Sequence, residues 1–368
     1  KERPLPRSHP GPRVGDADGV RASVTVRAPA KVNLHLGVGP RRADGYHDVI
    51  TILQAVSLYD EVTATSFEPS PAGDGNGAAG HTDEDPIVVT VGVTGEGAGN
   101  PADGSAAPTG VSAVPTGRDN LAVRAACLVA ETAGIRGERI HLQLSKGIPV
   151  AAGMAGGSAD AAAALLACDA LWKTGLDRAT LARLAAELGS DVPFPLTGGT
   201  ALGTGRGEQL TEVAGQGEFH WVFALADGGL STAGVYAEFD RLTEGTGRSA
   251  PSPADEVLSA LRTGDPIALG AALTNDLQAA AISLRPALRR VLETGVELGA
   301  VGAIVSGSGP TCAFLARDAE ASAALAAALA EAGVARAVRR AHGPVAGAQV
   351  VGAQVPGQIT ASDRSDCS

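Results

Sequence analysis

A glycine-rich segment at residues 147–165 has the composition of a ligand-binding loop that opens a helix; it reads GIPVAAGMAGGSADAAAAL. Gly153, Gly156 and Gly157 let the backbone turn tightly and approach a ligand closely. We predict Ser158 as the N-cap of the helix, because the alanines and leucines after it favour helix. Free N–H groups and the positive end of the helix dipole would then bind a phosphate group. A tight loop before a buried helix is the alternative.

The segment lacks the commoner phosphate-loop and hydrolase patterns. The chain contains no GxxxxGK(S/T), no GxGxxG after a strand and no GxSxG. A P-loop nucleotidase, a dinucleotide-binding fold and a nucleophile-elbow hydrolase are therefore disfavoured.

A carboxylate lies in a proline-rich turn at residues 188–196, LGSDVPFPL. Pro193 and Pro195 are expected to prevent a helix and hold the backbone extended. Asp191 would then sit on a rigid turn immediately before Val-Pro. Such an aspartate can act as a proton acceptor, or it can simply form the turn.

Polar side chains follow one another along residues 22–39, which we predict as two short strands with a break at Pro29. Lys31 and Asn33 are two residues apart, so a strand places both on one face, with His35 beyond them. This face is either a functional surface or a solvated strand face, which is common in two-faced sheets.

An aromatic pair follows the Asp44-Gly45 turn signal. Tyr46 and His47 stand on the edge of this loop, where ligand contacts are frequent. The alternative is that Tyr46 packs against the core and His47 caps the turn.

Composition restricts the class of protein. The chain has 368 residues, enough for two domains, and its hydrophobic share of 44% supports full cores. It carries 29 basic and 40 acidic residues, a net charge of −11. An acidic chain is a poor ligand for nucleic acid or an anionic membrane, so we expect neither partner. Any phosphate site must be local.

Cysteine usage indicates a reducing compartment. The four cysteines are widely scattered with no CxxC, which predicts buried thiols rather than a metal site or a disulfide framework; they are Cys127, Cys168, Cys312 and Cys367. No apolar signal segment is visible near the N-terminus, and glycines with Pro310 interrupt the uncharged run at 298–316. We therefore expect a cytoplasmic protein that does not span a membrane.

Helices and strands alternate irregularly, which predicts an α+β fold rather than a regular βαβ repeat. Helices are expected at 119–133, from the glycine loop to about Trp172, and at 177–188, 232–242, 254–263, 286–298 and 319–332. The predicted organisation is a disordered tail at 1–21, an N-terminal domain at 22–202 with a low-complexity insert at about 66–118, a C-terminal domain at 203–342 and a loose tail at 343–368.

Three distant segments together resemble one family. They are APAKVNLHL at 28–36, the glycine loop at 149–158 and VSGSGPTCAFL at 305–315, and they occur in the order found in the GHMP kinase superfamily. The resemblance implies a two-domain α+β fold with the active site in the cleft between domains. It also implies phosphoryl transfer from ATP to an alcohol.

Within that superfamily, the segments DGYHDV, RDNLAVRAA, GSDVPF and NDLQ are most similar to members that act on a cytidine diphosphate-linked methylerythritol. Those members phosphorylate its tertiary 2-hydroxyl in the non-mevalonate route to isoprenoids. By this resemblance Asp191 is the catalytic aspartate, Lys31 is paired with it and Asn33 lies beside them. Tyr46 and His47 would hold the cytosine, and Thr232 and Tyr236 would complete the substrate pocket.

The resemblance also implies where ATP and Mg²⁺ bind. Asn120 would lie by the nucleotide base, and Ser158 would lie near Mg²⁺. The loop that would hold the triphosphate consists of Pro149, Val150, Ala151, Ala152, Gly153, Met154, Ala155, Gly156, Gly157 and Ser158.

Two other functions are retained as alternatives. A GHMP kinase of the homoserine or mevalonate type would not need Tyr46 and His47. A non-catalytic GHMP-fold ligand-binding protein would tolerate loss of Asp191 or Lys31, yet both residues are present. The sequence leaves the oligomeric state open, as a monomer or a homodimer.

Overall fold

Two long antiparallel strands organise the fold. The computed structural model describes residues 20–68, 87–96, 114–150 and 153–354. β1 (Val20–Arg41) pairs with β2 (His47–Phe67) along most of its length. The predicted break at Pro29 was wrong, because the register merely shifts between Pro29 and Ala30 and the strand continues through the irregularity. The predicted N-terminal tail to residue 21 was too long by two residues, since β1 begins at Val20.

The two long strands are the centre of the first sheet. The strands that join them are β3 (Val88–Gly95), β4 (Arg139–Lys146), β5 (Thr200–Thr204), β6 (Gln209–Glu212), β8 (Thr274–Asn275) and β12 (Gln349–Gln354). The strand order is β12-β1-β2-β4-β3, with β5 on β2, β6 on β5 and β8 parallel to β1.

Two predictions about low-complexity segments need revision. The prediction of a loose tail at 343–368 was wrong for residues 349–354. They form β12, which pairs with β1 from Ser23 to Arg27. The insert predicted at about 66–118 was wrong as a purely low-complexity segment, because it contains β3, which pairs in parallel with β4. Residues 69–86 and 97–113 of the predicted insert lie outside the described ranges.

The second sheet is antiparallel and contains β7 (Phe219–Leu225), β9 (Gly302–Val305), β10 (Cys312–Ala316) and β11 (Ala337–Gly343). Its order is β11-β7-β10-β9. Trp221 on β7 donates its Nε1–H to Gln54 Oε1 on β2 at 3.0 Å, which joins the two sheets through a buried hydrogen bond.

Helices cover both sheets and confirm the α+β class. Those packed with the first sheet are α1 (Leu121–Ala133), α2 (Gly156–Trp172) and α4 (Pro193–Thr197), and α3 (Arg178–Leu188) packs against these three helices. Those that follow are α5 (Thr232–Thr243), α6 (Asp255–Thr263), α7 (Pro266–Ala272), α8 (Gln278–Leu284), α9 (Ala287–Glu297) and α10 (Ala319–Glu331). Sequence analysis missed α7, β8 and α8, because these short elements carry too few residues to show a period.

The helix after the glycine loop lies in the interior. α2 packs against α1, β1 and β2, and every residue from Ala159 to Leu165 is buried. Its alanines have short side chains, so the helix can approach its neighbours closely and still lose little conformational entropy. The N-terminus of α2 is thereby held rigidly at the end of the first sheet.

The cysteines behave largely as expected. Cys168 and Cys312 are buried free thiols, whereas Cys127 is exposed, which corrects the prediction for that residue. Cys367 lies outside the described residues. In the described ranges, no helix has both the length and the apolar character needed to cross a membrane.

Candidate active site

A cavity of about 660 Å³ opens between the first sheet and α5 and brings the predicted catalytic and substrate residues together. Its walls come from β1, β2, α5, the glycine loop and the second glycine turn at 306–309. The predicted residues that line it are Lys31, Asn33, Tyr46, His47, Asp191, Thr232 and Tyr236. Residues that are up to about 200 positions apart in sequence therefore share one site.

Asp191 reaches the cavity from the turn between α3 and α4. Its side chain is exposed, and Val192 N donates to Gly189 O at 3.2 Å to close the turn. The predicted extended backbone at Pro193 and Pro195 was wrong, since residues 193–197 form α4. Proline fits the first turn of a helix because the N–H it lacks would have no partner there. The rigid support expected for Asp191 is thus the N-terminus of α4, which begins two residues after it.

Lys31 lies on β1 below the second glycine turn. Its side chain is buried and its Nζ donates to Asn33 Oδ1 at 2.5 Å. Burial lowers the pKa of Lys31 below its ordinary value, and the negative charge of Asp191 acts in the opposite direction. Asp191 acts on Lys31 through its charge and not through a hydrogen bond. They face the same cavity and interact through space.

Asn33 holds Lys31 through a short chain of hydrogen bonds. Its Nδ2 donates to Thr51 Oγ1 at 2.9 Å, and Thr51 Oγ1 donates to His35 O at 2.7 Å. The solvated-face alternative for Lys31, Asn33 and His35 is wrong, because all three are buried. His35 is turned elsewhere, with its Nε2 3.1 Å from Ser252 O. It does not line the cavity.

The glycine loop meets the cavity at the start of α2. The N-cap is Ala155, in the left-handed conformation at φ 62°, so the predicted N-cap at Ser158 was wrong. Ser158 is the third residue of the helix. The first N–H groups of a helix have no acceptor within it, and Gly156 and Gly157 line the cavity. This end can therefore receive an anion.

The remaining loop residues divide into two groups. Gly153 and Ala155 line the cavity, whereas Pro149, Val150, Met154 and Ser158 do not. Ala151 and Ala152 lie outside the described residues. Met154 is buried, and its carbonyl accepts from Lys31 N at 3.3 Å, which ties the loop to β1.

The second glycine turn clamps the tip of the loop. Ser306 Oγ donates to Gly153 O at 3.2 Å. Gly153 has φ +71°, and a Cβ there would stand 2.3 Å from Ser306 O. Asn275 supports the turn from below, since its Nδ2 donates to Val305 O and Gly307 O, both at 2.8 Å. Sequence analysis did not assign Asn275 this task.

Three aromatic side chains line the cavity: Tyr46, His47 and Tyr236. His47 is buried, its ring centroid lies 4.9 Å from that of Tyr236, and its Nε2 is 2.7 Å from Asp240 Oδ1. Tyr46 is exposed, and the guanidinium carbon of Arg206 lies 5.0 Å from the centre of its ring. Sequence analysis missed Asp240 and Arg206. A carboxylate one helical turn after Tyr236 was a visible signal for Asp240.

α5 contributes the remaining predicted substrate residues. Ser231 caps the helix by accepting from Gly234 N, so Thr232 and Tyr236 project from its first turns. Thr232 Oγ1 lies 3.0 Å from Ser308 Oγ of the second glycine turn. Burial, with a smaller contribution from Asp191, raises the pKa of Tyr236 to about 12, so this phenol stays protonated at neutral pH.

Asn120 is not brought into the cavity. It caps α1, accepting from Ala122 N at 2.8 Å and donating to Pro115 O at 2.5 Å. Both functional atoms of its side chain therefore serve local structure. Its predicted position beside a nucleotide base is not tested by these contacts.

The chain belongs to the GHMP kinases. The model of the GHMP kinases N terminal domain matches residues 120–199, and that of the GHMP kinases C terminal matches residues 257–335. The 4-diphosphocytidyl-2-C-methyl-D-erythritol kinase of Thermobifida fusca is 54% identical over 89% of this chain and 98% of its own. The enzyme of the same name from Nocardia farcinica is 52% identical over 90% of this chain and 97% of its own.

Solved structures agree with this assignment. A crystal structure of 4-(cytidine 5'-diphospho)-2C-methyl-D-erythritol kinase has a TM-score of 0.63 and 31% identity, covering 86% of this chain and 98% of its own. A homoserine kinase from Cytophaga hutchinsonii also has a TM-score of 0.63, over 93% of this chain and 100% of its own. Its identity of 17% shows a common fold and no more.

Proposed function

We propose that this chain transfers a phosphoryl group from ATP to the 2-hydroxyl of 4-diphosphocytidyl-2-C-methyl-D-erythritol, giving the 2-phosphate and ADP. The observation that carries the proposal is that one cavity is lined by Asp191 and Lys31, by the glycines at the start of α2, and by Tyr46 and His47. The names of the relatives at 54% and 52% identity favour this substrate over homoserine or mevalonate.

Asp191 and Lys31 supply the proton and charge chemistry. A tertiary alcohol is a crowded nucleophile, and Asp191 orients its hydroxyl and accepts its proton. The hydroxyl oxygen forms a bond to the γ-phosphorus as the bond from that phosphorus to the bridging oxygen breaks, and ADP leaves. The ammonium of Lys31, held by Asn33, stabilises the negative charge near the reacting oxygens.

The glycine loop and the start of α2 bind the triphosphate. The N–H groups of the first turn and the helix dipole offset its charge, which is the main protein contribution in phosphoryl transfer. Mg²⁺ takes oxygen ligands and is usually held by one or two side chains together with phosphates. Ser158, the third residue of α2, would supply one such oxygen from its hydroxyl. When bound, Mg²⁺ neutralises charge on the transferred group.

Tyr46 and His47 recognise the cytosine. A flat base can stack on the exposed Tyr46 ring, whose other contact is Arg206. The His47 ring is held between Asp240 and Tyr236 and supplies a polar contact. We also propose that the enzyme acts in the cytoplasm, in the methylerythritol phosphate route to isoprenoid precursors, and the free thiols Cys168 and Cys312 are consistent with that compartment.

A coupled ADP-release assay tests the function. Purified protein would be given ATP, Mg²⁺ and one of four alcohols: the cytidyl substrate, homoserine, mevalonate or galactose. We expect turnover with the cytidyl substrate alone. Turnover with another alcohol would discard the cytosine pocket, and ATP binding without any turnover would favour a non-catalytic protein.

Gly153→Ala is expected to raise KM for ATP by about 10-fold, because the left-handed backbone and the contact with Ser306 O both reject a Cβ. Steady-state kinetics with varied ATP would measure the change. Gly175→Ala is the matched control, since Gly175 has φ +67° and open space around its Cβ position. An equal rise in the control would refute the clamp at Gly153.

Asp240→Ala is expected to raise KM for the cytidyl substrate by about 10-fold or more, because the His47 ring loses a hydrogen bond to a charged group. The kcat and the KM for ATP should stay within about twofold, because the described hydrogen bond of the Asp240 carboxylate is to His47 and not to the glycine loop. Glu238→Ala is the control on the same helix, since its carboxylate bonds Arg241 and Ser283. An unchanged KM for the cytidyl substrate would remove Asp240 from substrate recognition.

A further inference from the structure

Three buried charged side chains meet at the base of the glycine loop. Lys146 Nζ donates to Asp60 Oδ2 and, at 2.6 Å, to Asp160 Oδ2. The exposed fractions of the three side chains are 2% for Lys146, 0% for Asp60 and 4% for Asp160. None of the three lines the cavity described above. The proposed reaction therefore leaves them without a role.

Their positions in the chain give this cluster a geometric consequence. Lys146 is the last residue of β4, immediately before the glycine loop, and Asp160 is the fifth residue of α2, just after it. The contact between them joins the two ends of the loop. Asp60, near the middle of β2, also accepts from Gly147 N and Ile148 N, both at 2.8 Å. The first two residues of the loop are thereby fixed to the sheet.

The charges of the cluster do not balance, which makes it a poor device for stability alone. One ammonium faces two carboxylates in a buried place, and Asp160 Oδ1 has no hydrogen bond to the described part of the chain. Burial of a charge without full pairing is costly, and apolar residues of similar volume often stabilise a fold better. Burial raises the pKa of Asp160 to about 7, which reflects that cost.

We propose that Asp160 is a positioning residue for ATP: through Lys146 it closes the base of the glycine loop and holds the start of α2 in its ATP-binding arrangement. The proposal rests on the proposed function in one respect, that the loop binds ATP. The tip of the loop is fixed separately, by Ser306 on Gly153. The loop is thus held at both its base and its tip, and Asp160 acts on the base without touching ATP.

The test is a comparison of Asp160→Ala, Asp160→Asn and the wild type. Asp160→Ala leaves the Lys146–Asp60 pair intact, so neither charge loses its last partner. We expect its Kd and KM for ATP to rise about 10-fold, the size expected for loss of one hydrogen bond to a charged group. The kcat and the KM for the alcohol should stay within about twofold. Asp160→Asn should restore most of the ATP affinity, because its amide oxygen still accepts from Lys146.

Cys168→Ala is the matched control for a general loss of stability. Cys168 is fully buried on the same helix, eight residues beyond Asp160. Its Tm should fall while its Kd for ATP stays unchanged. Hydrogen exchange at residues 147–157 should be faster in Asp160→Ala and not in Cys168→Ala. If Asp160→Ala does not fold, Asp160→Ser replaces it, because its short hydroxyl cannot reach Lys146 but can bond within the helix.

The outcomes separate this proposal from the proposed function. An unchanged Kd for ATP in Asp160→Ala would overturn the positioning role, as would a parallel loss of kcat and of affinity for both substrates. Failure of Asp160→Asn to restore ATP affinity would overturn it as well. The Kd for ATP is measured by calorimetry without any alcohol. A wild type that binds ATP but phosphorylates no cytidyl substrate would refute the proposed function and leave the role of Asp160 to be decided by the same Kd values.

Discussion

Asp191→Asn is expected to lower kcat by about 10³-fold, within the range for loss of a positioned proton acceptor. The amide keeps the shape of the side chain but cannot take the proton of the hydroxyl, and it removes the charge beside Lys31. Asp191 is exposed in the cavity and caps no helix, so the variant should fold as the wild type does. The Kd for ATP should change by less than about fivefold, since the loop and α2 are untouched.

Single-turnover kinetics and calorimetry would measure these two effects separately. Asp177→Asn is the matched control, because Asp177 caps α3 by accepting from Thr180 N and asparagine caps equally well. That variant should retain full activity. A turnover number within about tenfold of wild type in Asp191→Asn would show that Asp191 does not carry proton transfer.

Lys31→Met is expected to lower kcat by about 10²- to 10³-fold, as for other groups that stabilise developing charge. The two side chains have similar volume, so the cavity keeps its shape. Asn33 and Thr51 should stay in place, because their mutual hydrogen bond does not need the ammonium. The KM for the cytidyl substrate should change little if Lys31 acts on the transition state.

Lys31→Met is also expected to change the stability of the fold, independently of its effect on activity. Burial lowers the pKa of Lys31 in the folded chain below the 10.5 of an exposed lysine. While Lys31 is protonated in both the folded and the unfolded state, its burial therefore lowers the free energy of unfolding. At pH 7 Lys31→Met should therefore be at least as stable as the wild type. As pH rises through the lowered pKa towards 10.5, Lys31 loses its proton in the folded wild type first, and the wild type becomes more stable. The difference in unfolding free energy between Lys31→Met and the wild type should therefore shrink.

Urea unfolding at pH 7 and at pH 10 would measure the difference in unfolding free energy. Lys173→Met is the control, since Lys173 is exposed and its variant should show full activity and no such pH dependence. A Lys31→Met protein that is much less stable than wild type at pH 7 would contradict the burial argument. One that is stable and fully active would remove Lys31 from the mechanism.

Local sequence determined the elements that carry the site. The alternation around Lys31 and Asn33 placed both on one face of a strand, and both line the cavity. The alanine-rich run after Gly157 is the helix expected of it, and the glycines at 153–157 lie at its start. These features depend on neighbours within a few residues, which is the range over which propensity and periodicity act.

Boundaries and caps were less predictable because they depend on the surroundings. Prolines at 193 and 195 were expected to exclude helix, yet they occupy the first turn of α4, where proline is tolerated. Ser158 is a good capping residue, but the tight turn at Ala155 starts α2 three residues earlier. Residues 349–354 have little periodicity of their own and form β12 because β1 offers a free edge.

Tertiary structure alone decided which polar residues meet. The sequence places Asp240 far from His47 and Asp60 far from Asp160, and no local pattern relates them. The strands and helices bring His47 to a half-buried Asp240 and bring Asp60 and Asp160 to one buried lysine, where low polarity makes a contact between charged groups strong and a missing partner costly. The sequence by itself therefore determined which residues can do chemistry and on which elements they stand. The packing of β1, β2, α2 and α5 decided which of them act together, because hydrogen bonds between distant segments exist only once the chain has folded.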